Sequence, residues 1–484
     1  MLEDIRAERL KKKEQLETAG QNPYPATVNR THTSAELLAQ WDELEAQKTT
    51  VSVVGRVFAR RGQGGVMFLD LKDESGGIQL VFKQDTGEQF ELLRDTLDIG
   101  DFVEATGQAF VTQKGEKSIE ASKLRIITKS LRPIPSEHYG VKDIETRLRQ
   151  RYLDLLMNPE LRQMFRQKSI FWQKTRDFLT NEGFLEVETP VLESTTGGAE
   201  ARPFATHHNA LDIEMYLRIS LELPQKRLLV GGFEKTFEIG RVFRNEGMDA
   251  DHLQDYTQME FYAAYHNYND LMRISEKLIK EVIQATVGTL KTTYQGNEID
   301  WSGEWKTIDY CDEFKKETGI DIADCNLEQL QEKAKELGIK FEKNDGMGRL
   351  IDSIYKRTVR AKVIQPVFLI HHPVIISPLS KRVEKEPHKT ERVQLLAGGS
   401  ELTNGFSELN DPIDQRERFE QQAKLREEGD DEAQMMDEDF VIALEHGMPP
   451  AAGFSYSERL FAVLMDKPIR ETVFFPTLRP KQGE

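Results

Sequence analysis

Residues 231–265 read GGFEKTFEIGRVFRNEGMDADHLQDYTQMEFYAAY. Two apolar segments rich in β-formers flank a polar loop, the pattern of a β-hairpin. Arg241 and Arg244 stand at one end, and Glu260 and Tyr262 lie in the returning segment. Glu260 and Tyr262 are two residues apart, so on a strand they share a face. One strand then offers cations for a phosphate. Its neighbour offers an anion and a phenol for a cationic group of a substrate.

A chain of 484 residues calls for at least two domains around this hairpin. Hydrophobic residues at 38% and charged residues at 30% describe a well-charged globular protein. No apolar run is long enough to span a bilayer, and MLEDIRAERLKKKEQLE at the start lacks a signal core. A cytoplasmic protein with no membrane attachment is the expectation. Cys311 and Cys325 have no metal-ligand spacing and no histidine pair beside them, which suits two reduced structural thiols. A net charge of −17 argues against a general nucleic-acid coat but allows local basic patches. One candidate is Arg147, Arg149, Arg151, Arg162, Arg166, Lys168, Lys174 and Arg176. Composition leaves a solvated helix face and an RNA contact equally open for it.

Upstream, residues 2–18 read as a charged helix with an apolar stripe at Leu2, Ile5, Leu10 and Leu16. The prolines of QNPYP end it. Residues 34–47 read as a second short helix. From Val51 to about Ile127 the pattern turns to strands, at 51–57, 66–71, 78–82, 102–110 and 118–127, with glycine-bearing turns between them. Five short strands in about eighty residues suit an OB-fold barrel that binds oligonucleotides on its sheet face. Phe68 and Gln79 offer base stacking and base-edge hydrogen bonds, although pattern alone favours Phe68 as barrel core. LRPIPS at 131–136 is a proline-marked linker. Beyond it the chain is mixed: helices at 160–182, 269–288 and 327–337, a strand ending at Pro190, and an acidic helical segment over 424–448 closed by Gly447.

Three further segments carry chemistry. ESTTGGAEARPF (193–204) is a glycine-bearing loop that lets backbone approach a ligand. GGSELTNGFSELN (398–410) repeats Glu401, Asn404, Phe406 and Glu408 near period two, with groups able to hold Mg²⁺, a carboxylate and an ammonium. AGFSYSERL (452–460) leads a strand into a helix bearing Arg459, a guanidinium for a nucleotide phosphate.

In this order the segments resemble the parts of class II aminoacyl-tRNA synthetases: GFLEVETP (183–190) the first motif, FRNE (243–246) the second, SERL (457–460) the third. RYLDL (151–155), THHNALD (206–212), MYLRI (215–219), VGGFE (230–234), NGFSELND (404–411) and GDDEA (429–433) are similar to the bacterial-type lysyl-tRNA synthetases. The resemblance spans nearly the whole chain. It implies an α+β protein with an N-terminal helical extension (1–48), an OB-fold anticodon-binding domain (49–130), a linker (131–145) and a class II catalytic domain (146–484) built on an antiparallel sheet flanked by helices. It also implies a homodimer joined through the first motif.

The implied reaction joins lysine to ATP, forming lysyl-adenylate, and then loads the 3′ end of tRNA(Lys), with Mg²⁺ present. Arg244 and Arg459 match the catalytic arginines. Arg244, Glu246, His252, Tyr256, Glu401 and Arg459 match ATP positions, with Tyr256 the adenine-stacking aromatic. Glu401 matches a metal ligand. Gly198, Glu222, Glu260, Tyr262, Asn404, Phe406 and Glu408 match the lysine pocket: Glu408 and Tyr262 for the ε-ammonium, Glu222 for the α-ammonium. Phe68, Gln79 and the basic stretch become tRNA contacts, Phe68 and Gln79 at the anticodon. His207 and His208 take no catalytic role. Three departures stand out. Ser455 and Ser457 replace glycines in a third motif one residue short, Gln394 stands at a second metal position, and Asp251 stands where a cation often sits. An intact lysine pocket and both arginines favour an active enzyme. The alternatives are a synthetase with altered amino-acid choice and a non-catalytic tRNA-binding or regulatory protein.

Overall fold

The computed structural model describes residues 2–85, 89–135, 143–247, 252–342, 345–430 and 432–480. Asp251 and residues 136–142 lie outside them. The chain divides into two compact units, Met1–Lys142 and Asp143–Glu484.

In the first unit, alternation of buried and exposed residues closes a barrel among the described residues. Its strands are β1 (Thr50–Gln63), β2 (Val66–Lys72), β3 (Gly77–Lys83), β4 (Phe102–Val111) and β5 (Lys117–Thr128), in the order β1-β2-β3-β5-β4. Met67, Leu69 and Leu71 point into the core with Leu80, Phe82, Val103 and Ile119. Phe68, between them in sequence, is therefore on the outer face and only half-buried, not barrel core. Helix α1 (Leu2–Thr18) buries Arg9 and Leu16 rather than a full apolar stripe. Leu2 is exposed. Arg9 docks the helix instead, donating to the carbonyls of Ile99 (3.0 Å), Ser130 (2.9 Å) and Arg132 (3.1 Å).

In the second unit the 160–182 periodicity becomes α2 (Pro159–Asn181), capped by Asn158. The other helices that matter for the site are α3 (Glu222–Val230), α4 (Tyr268–Val287), α5 (Pro412–Glu427), α6 (Glu438–Glu445) and α7 (Glu458–Leu464). The acidic 424–448 stretch is not one helix. Gly429, at φ +106°, turns the chain after α5, and Asp437 caps the start of α6.

Among the described residues nine strands form one sheet. Eight lie on its path: β6 (Leu185–Glu186), β7 (Lys235–Phe243), β8 (Asp255–Ala264), β9 (Lys306–Asp309), β10 (Val367–Ile370), β11 (Arg392–Ala397), β12 (Thr403–Ser407) and β13 (Ala451–Ser457). Their order is β9-β10-β11-β12-β13-β8-β7-β6, with Ser400–Glu401 paired to β11 off the path. The central pairs are antiparallel, and the edges β9·β10 and β7·β6 are parallel. Phe237, Met259, Phe261, Phe454 and Tyr456 form one face and pack on Phe171 and Phe178 of α2 and Leu278 and Val282 of α4. The period of two then sends the intervening residues to the other face.

Candidate active site

That other face carries the polar side chains. In register, Glu260 of β8 lies opposite Ser455 of β13, and Tyr262 opposite Gly453. Asn404 and Phe406 of β12 meet the same two β13 positions from the other side. Tyr256, Gln258, Glu260 and Tyr262 thus line one face of a single strand. Its two tyrosines are about 20 Å apart, six residues at roughly 3.4 Å each.

At the Tyr262 end the face deepens into a pocket roofed by α3. Glu260 is saturated: Oε1 accepts from Ser220 Oγ (2.9 Å), Leu221 N (3.0 Å) and Gln258 Nε2 (2.7 Å), and Oε2 accepts from the Tyr262 hydroxyl (2.7 Å). The phenol oxygen keeps its acceptor capacity. Glycine is required at 453, where a Cβ would lie 2.3 Å from Tyr262 Cε1 and 2.4 Å from Glu408 Oε1. Gly198, at φ +83°, closes against α3, with a Cβ there meeting Ser220 Oγ at 2.8 Å.

Lys226 is the pocket residue that sequence reasoning missed. Its ammonium is fully buried, 2.5 Å from Glu222 Oε1 and in direct contact with Glu408 Oε2. It lies 5.2 Å from the centroid of the Phe406 ring and 5.8 Å from that of Phe440. Glu408 Oε1 has no hydrogen-bond partner among the described residues. Burial pushes the Glu222 carboxyl up to about 7 against the pull of Lys226, and drives Glu408 well above the usual carboxylate range. Burial also works against the Lys226 ammonium, but Glu222 and Glu408 outweigh it and hold its pKa above the ordinary value.

Toward the Tyr256 end, the Arg244 guanidinium lies 5.6 Å from the Tyr256 ring centroid and donates to Ile219 O (3.3 Å). Tyr256 packs against Leu253, Ala462 and Ile469. Arg459 sits in the first turn of α7, where Ser457 Oγ accepts its backbone N–H (3.3 Å). The Ser455 hydroxyl donates to Asn404 O (3.3 Å), and Arg392 donates to Asn404 Oδ1 (2.8 Å). Arg241 does not join Arg244. It has the opposite parity on β7, so it projects from the other face, and it pairs with Asp255 and, at 3.6 Å, with Glu458. Glu246 follows Arg244 in the loop, where its N–H bonds Arg244 O (2.8 Å), and His252 is exposed.

The region 143–479 matches the family model described as tRNA synthetases class II (D, K and N), and 51–127 matches an OB-fold nucleic acid binding domain. The chain belongs to this synthetase family. A lysine–tRNA ligase of Moorella thermoacetica is 46% identical over 99% of the chain and 98% of its own length. Ligases of the same name from Thermotoga maritima and Bacillus subtilis are each 44% identical, covering 100% and 97% of the chain and 98% and 96% of their own lengths.

The two residues expected at metal positions both have other polar neighbours. Glu401 is partly exposed and 3.3 Å from Arg360 Nη1. Gln394 is buried, and its Oε1 is 3.0 Å from His372 Nε2. Burial holds the His372 pKa well below its ordinary value, so the ring is neutral. No cluster of three or more metal-binding side chains occurs among the described residues. On the synthetase's barrel, Phe68 lies opposite Arg61 and Gln79 opposite Asp70, on the outer face; Gln79 Oε1 accepts from Ser118 Oγ (3.0 Å).

The basic stretch is not a free patch. Arg147 and Arg151 pair with Asp154, Arg149 with Glu145, Lys168 with Glu458, Lys174 with Glu281 and Arg176 with Glu186. Arg162 caps the carbonyl of Leu155, and Arg166 also has partners. His207 and His208 lie on a separate small sheet.

Proposed function

We propose that the chain is a lysine–tRNA ligase that adenylates lysine with ATP and transfers it to the 3′ end of tRNA(Lys). The observation that carries the reading is the pocket under α3. It holds three buried carboxylates, one buried ammonium, and an unpartnered carboxylate oxygen beside a phenol oxygen. Glu408 Oε1 and the Tyr262 oxygen receive the ε-ammonium, Glu222 Oε2 the α-ammonium, and Arg244 the carboxylate. Buried acids repel the side chain of aspartate and leave that of asparagine poorly paired, so the pocket selects a cation.

A carboxylate oxygen of lysine attacks the α-phosphorus of ATP, and the bond to the bridging oxygen breaks as pyrophosphate leaves. The carboxylate is already a nucleophile, so the enzyme's contribution is alignment and stabilisation of phosphoryl charge. Arg244 sits between the pocket and Tyr256, where both reactants meet, and Arg459 takes the far end of the triphosphate. A ribose hydroxyl of the tRNA terminus then attacks the carbonyl carbon and AMP departs. Mg²⁺ carried on the nucleotide would neutralise phosphate charge. Glu401 fits as its single carboxylate ligand, whereas the Gln394 oxygen faces His372. Phe68 and Gln79 stack on and pair with anticodon bases from the barrel's outer face.

A homodimer accounts for the apolar side chains left exposed around the first motif: Leu185, Val191, Leu192, Leu211 and Ile213. Sedimentation should give a dimer. A cytoplasmic location suits an enzyme that works on tRNA and ATP. ATP–pyrophosphate exchange with lysine, aspartate or asparagine in excess Mg²⁺ tests the reaction, and only lysine should support it. Gln394 and Ser455 favour one second reading, a tRNA-binding protein without adenylation. No exchange from a folded protein that binds tRNA would establish that reading instead.

A further inference from the structure

Two oxygens of the lysine pocket are already committed inside the protein, and they belong to different acids. Glu222 opens α3, and Lys226 stands four residues later, on the same helix face. Glu408 follows β12, far away in sequence. The Lys226 ammonium bridges them, taking Oε1 of Glu222 and Oε2 of Glu408. Each acid is left with one oxygen, and that of Glu408 is buried without a hydrogen-bond partner among the described residues. Lys226 itself is held: its side chain is buried, with aromatic rings from β12 (Phe406) and α6 (Phe440) on it.

We propose that Lys226 is a positioning residue that sets substrate length. By holding one oxygen of Glu222 and one of Glu408, it fixes the span between the two remaining oxygens, and so the distance at which an α- and an ω-ammonium are received together. The proposal rests on the lysine reading of this pocket.

The charge count agrees. With all three ionised around the bound substrate, Glu222, Glu260 and Glu408 supply three negative charges and Lys226 one positive, leaving two for the two ammonium groups of lysine. The other ionisable groups around the cluster do not disturb this balance. Tyr262 of β8 is held in its phenol form by burial and the nearby acids. Arg392 of β11 is tied to Asn404 Oδ1 (2.8 Å) and Ile376 O (2.7 Å). Arg227 of α3 turns away to Asp437 at the start of α6 (2.9 Å). Lys226 is therefore the cation in contact with both acids. Without it, Glu222 and Glu408 lose their common anchor and are free to approach a shorter diamino acid.

The test compares lysine with ornithine, one methylene shorter, in the intact enzyme and in Lys226→Met and Lys226→Arg, by pyrophosphate exchange from pH 6 to 8.5. One methylene is worth about tenfold or more in a fitted pocket. Lys226→Met should raise the lysine KM about tenfold with kcat nearly unchanged. It should also narrow the lysine-to-ornithine ratio and move the pH midpoint of kcat/KM upward, because the acids lose their cation. Lys226→Arg should keep the wild-type pH midpoint while shifting the length preference. A folded Met variant with wild-type ratio and pH profile would overturn the proposal. If the Met variant does not fold, an Arg variant with an unchanged lysine-to-ornithine ratio overturns it. Absence of lysine-dependent exchange in the wild type would defeat the ligase reading instead, and calorimetric binding of lysine and ornithine to the same variants would then decide the role of Lys226.

Discussion

Among the described residues, two lysines are buried completely, each between two carboxylates, and they do opposite things. Lys129, in the barrel unit, uses all three donors: Thr96 O (2.6 Å), Asp98 Oδ2 (2.6 Å) and Asp101 Oδ2 (2.7 Å). The remaining oxygens are also taken, Asp98 Oδ1 by Lys12 (2.7 Å) and Asp101 Oδ1 by Ser130 N (2.7 Å). Burial works to raise Asp98, but Lys12 and Lys129 outweigh it and hold it below its ordinary value. Lys226 anchors a buried cluster and leaves a carboxylate oxygen with no hydrogen-bond partner among the described residues. A closed ion cluster is a fastener, and an open one is a receptor. An unpaired buried acceptor costs about 1–3 kcal/mol and persists where something arrives to fill it.

The comparison breaks most sharply at the open oxygen. Glu408→Gln keeps the shape and removes the charge, and it should lower kcat/KM for lysine exchange about a thousandfold or more, the scale of breaking a buried charge pair. Circular dichroism should show the fold intact. An unchanged lysine KM would remove Glu408 from the pocket. In the closed cluster, Lys129→Met strands two aspartates. It should destabilise the barrel unit by about 3 kcal/mol, read by denaturant titration, and leave lysine exchange untouched. If Lys129→Met lowered exchange while sparing stability, the division between fastener and receptor would be wrong.

The hairpin and the shared face of Glu260 and Tyr262 were legible in the sequence because a strand enforces its period of two locally. The same parity, applied to Arg241 and Arg244, separates them. Lys226 was half-legible: its spacing from Glu222 is a helix turn, but its contact with Glu408 exists only once β12 is laid beside β13. The ion pairs of Arg176, Lys174 and Lys168 in the basic stretch were not legible for the same reason, since their partners Glu186, Glu281 and Glu458 lie elsewhere in the sequence. The division of 424–448 into two helices was written at Gly429 and Asp437, a stop and a start that the acidic composition around them concealed.

On the barrel, the residue proposed to receive a base is Phe68. Phe68 is half-buried on the outer face, beside Arg61. Phe68→Ala should weaken tRNA(Lys) binding about tenfold by fluorescence anisotropy, within the range for one lost stacking platform. Lysine exchange without tRNA should not change. Equal affinity would place the anticodon contact elsewhere on the barrel.

The smallest effect is set by pH. An open cluster in a buried site binds protons in place of its ligand. Glu222, raised to about 7 by burial, must ionise to receive an ammonium. Lysine therefore binds more weakly as pH falls through that value, and KM should rise about threefold from pH 7.5 to 6.5, the change in ionised fraction of one group titrating near 7. The raised Glu408 works in the same direction. Lys226 opposes the shift of both acids, so the dependence is steeper in Lys226→Met. Exchange at saturating ATP separates the possibilities. A KM that rises while kcat holds places the titration in the lysine pocket. A flat KM with falling kcat places it on the nucleotide side, and the carboxylates under α3 would then be as closed to protons as Asp98 beside Lys129.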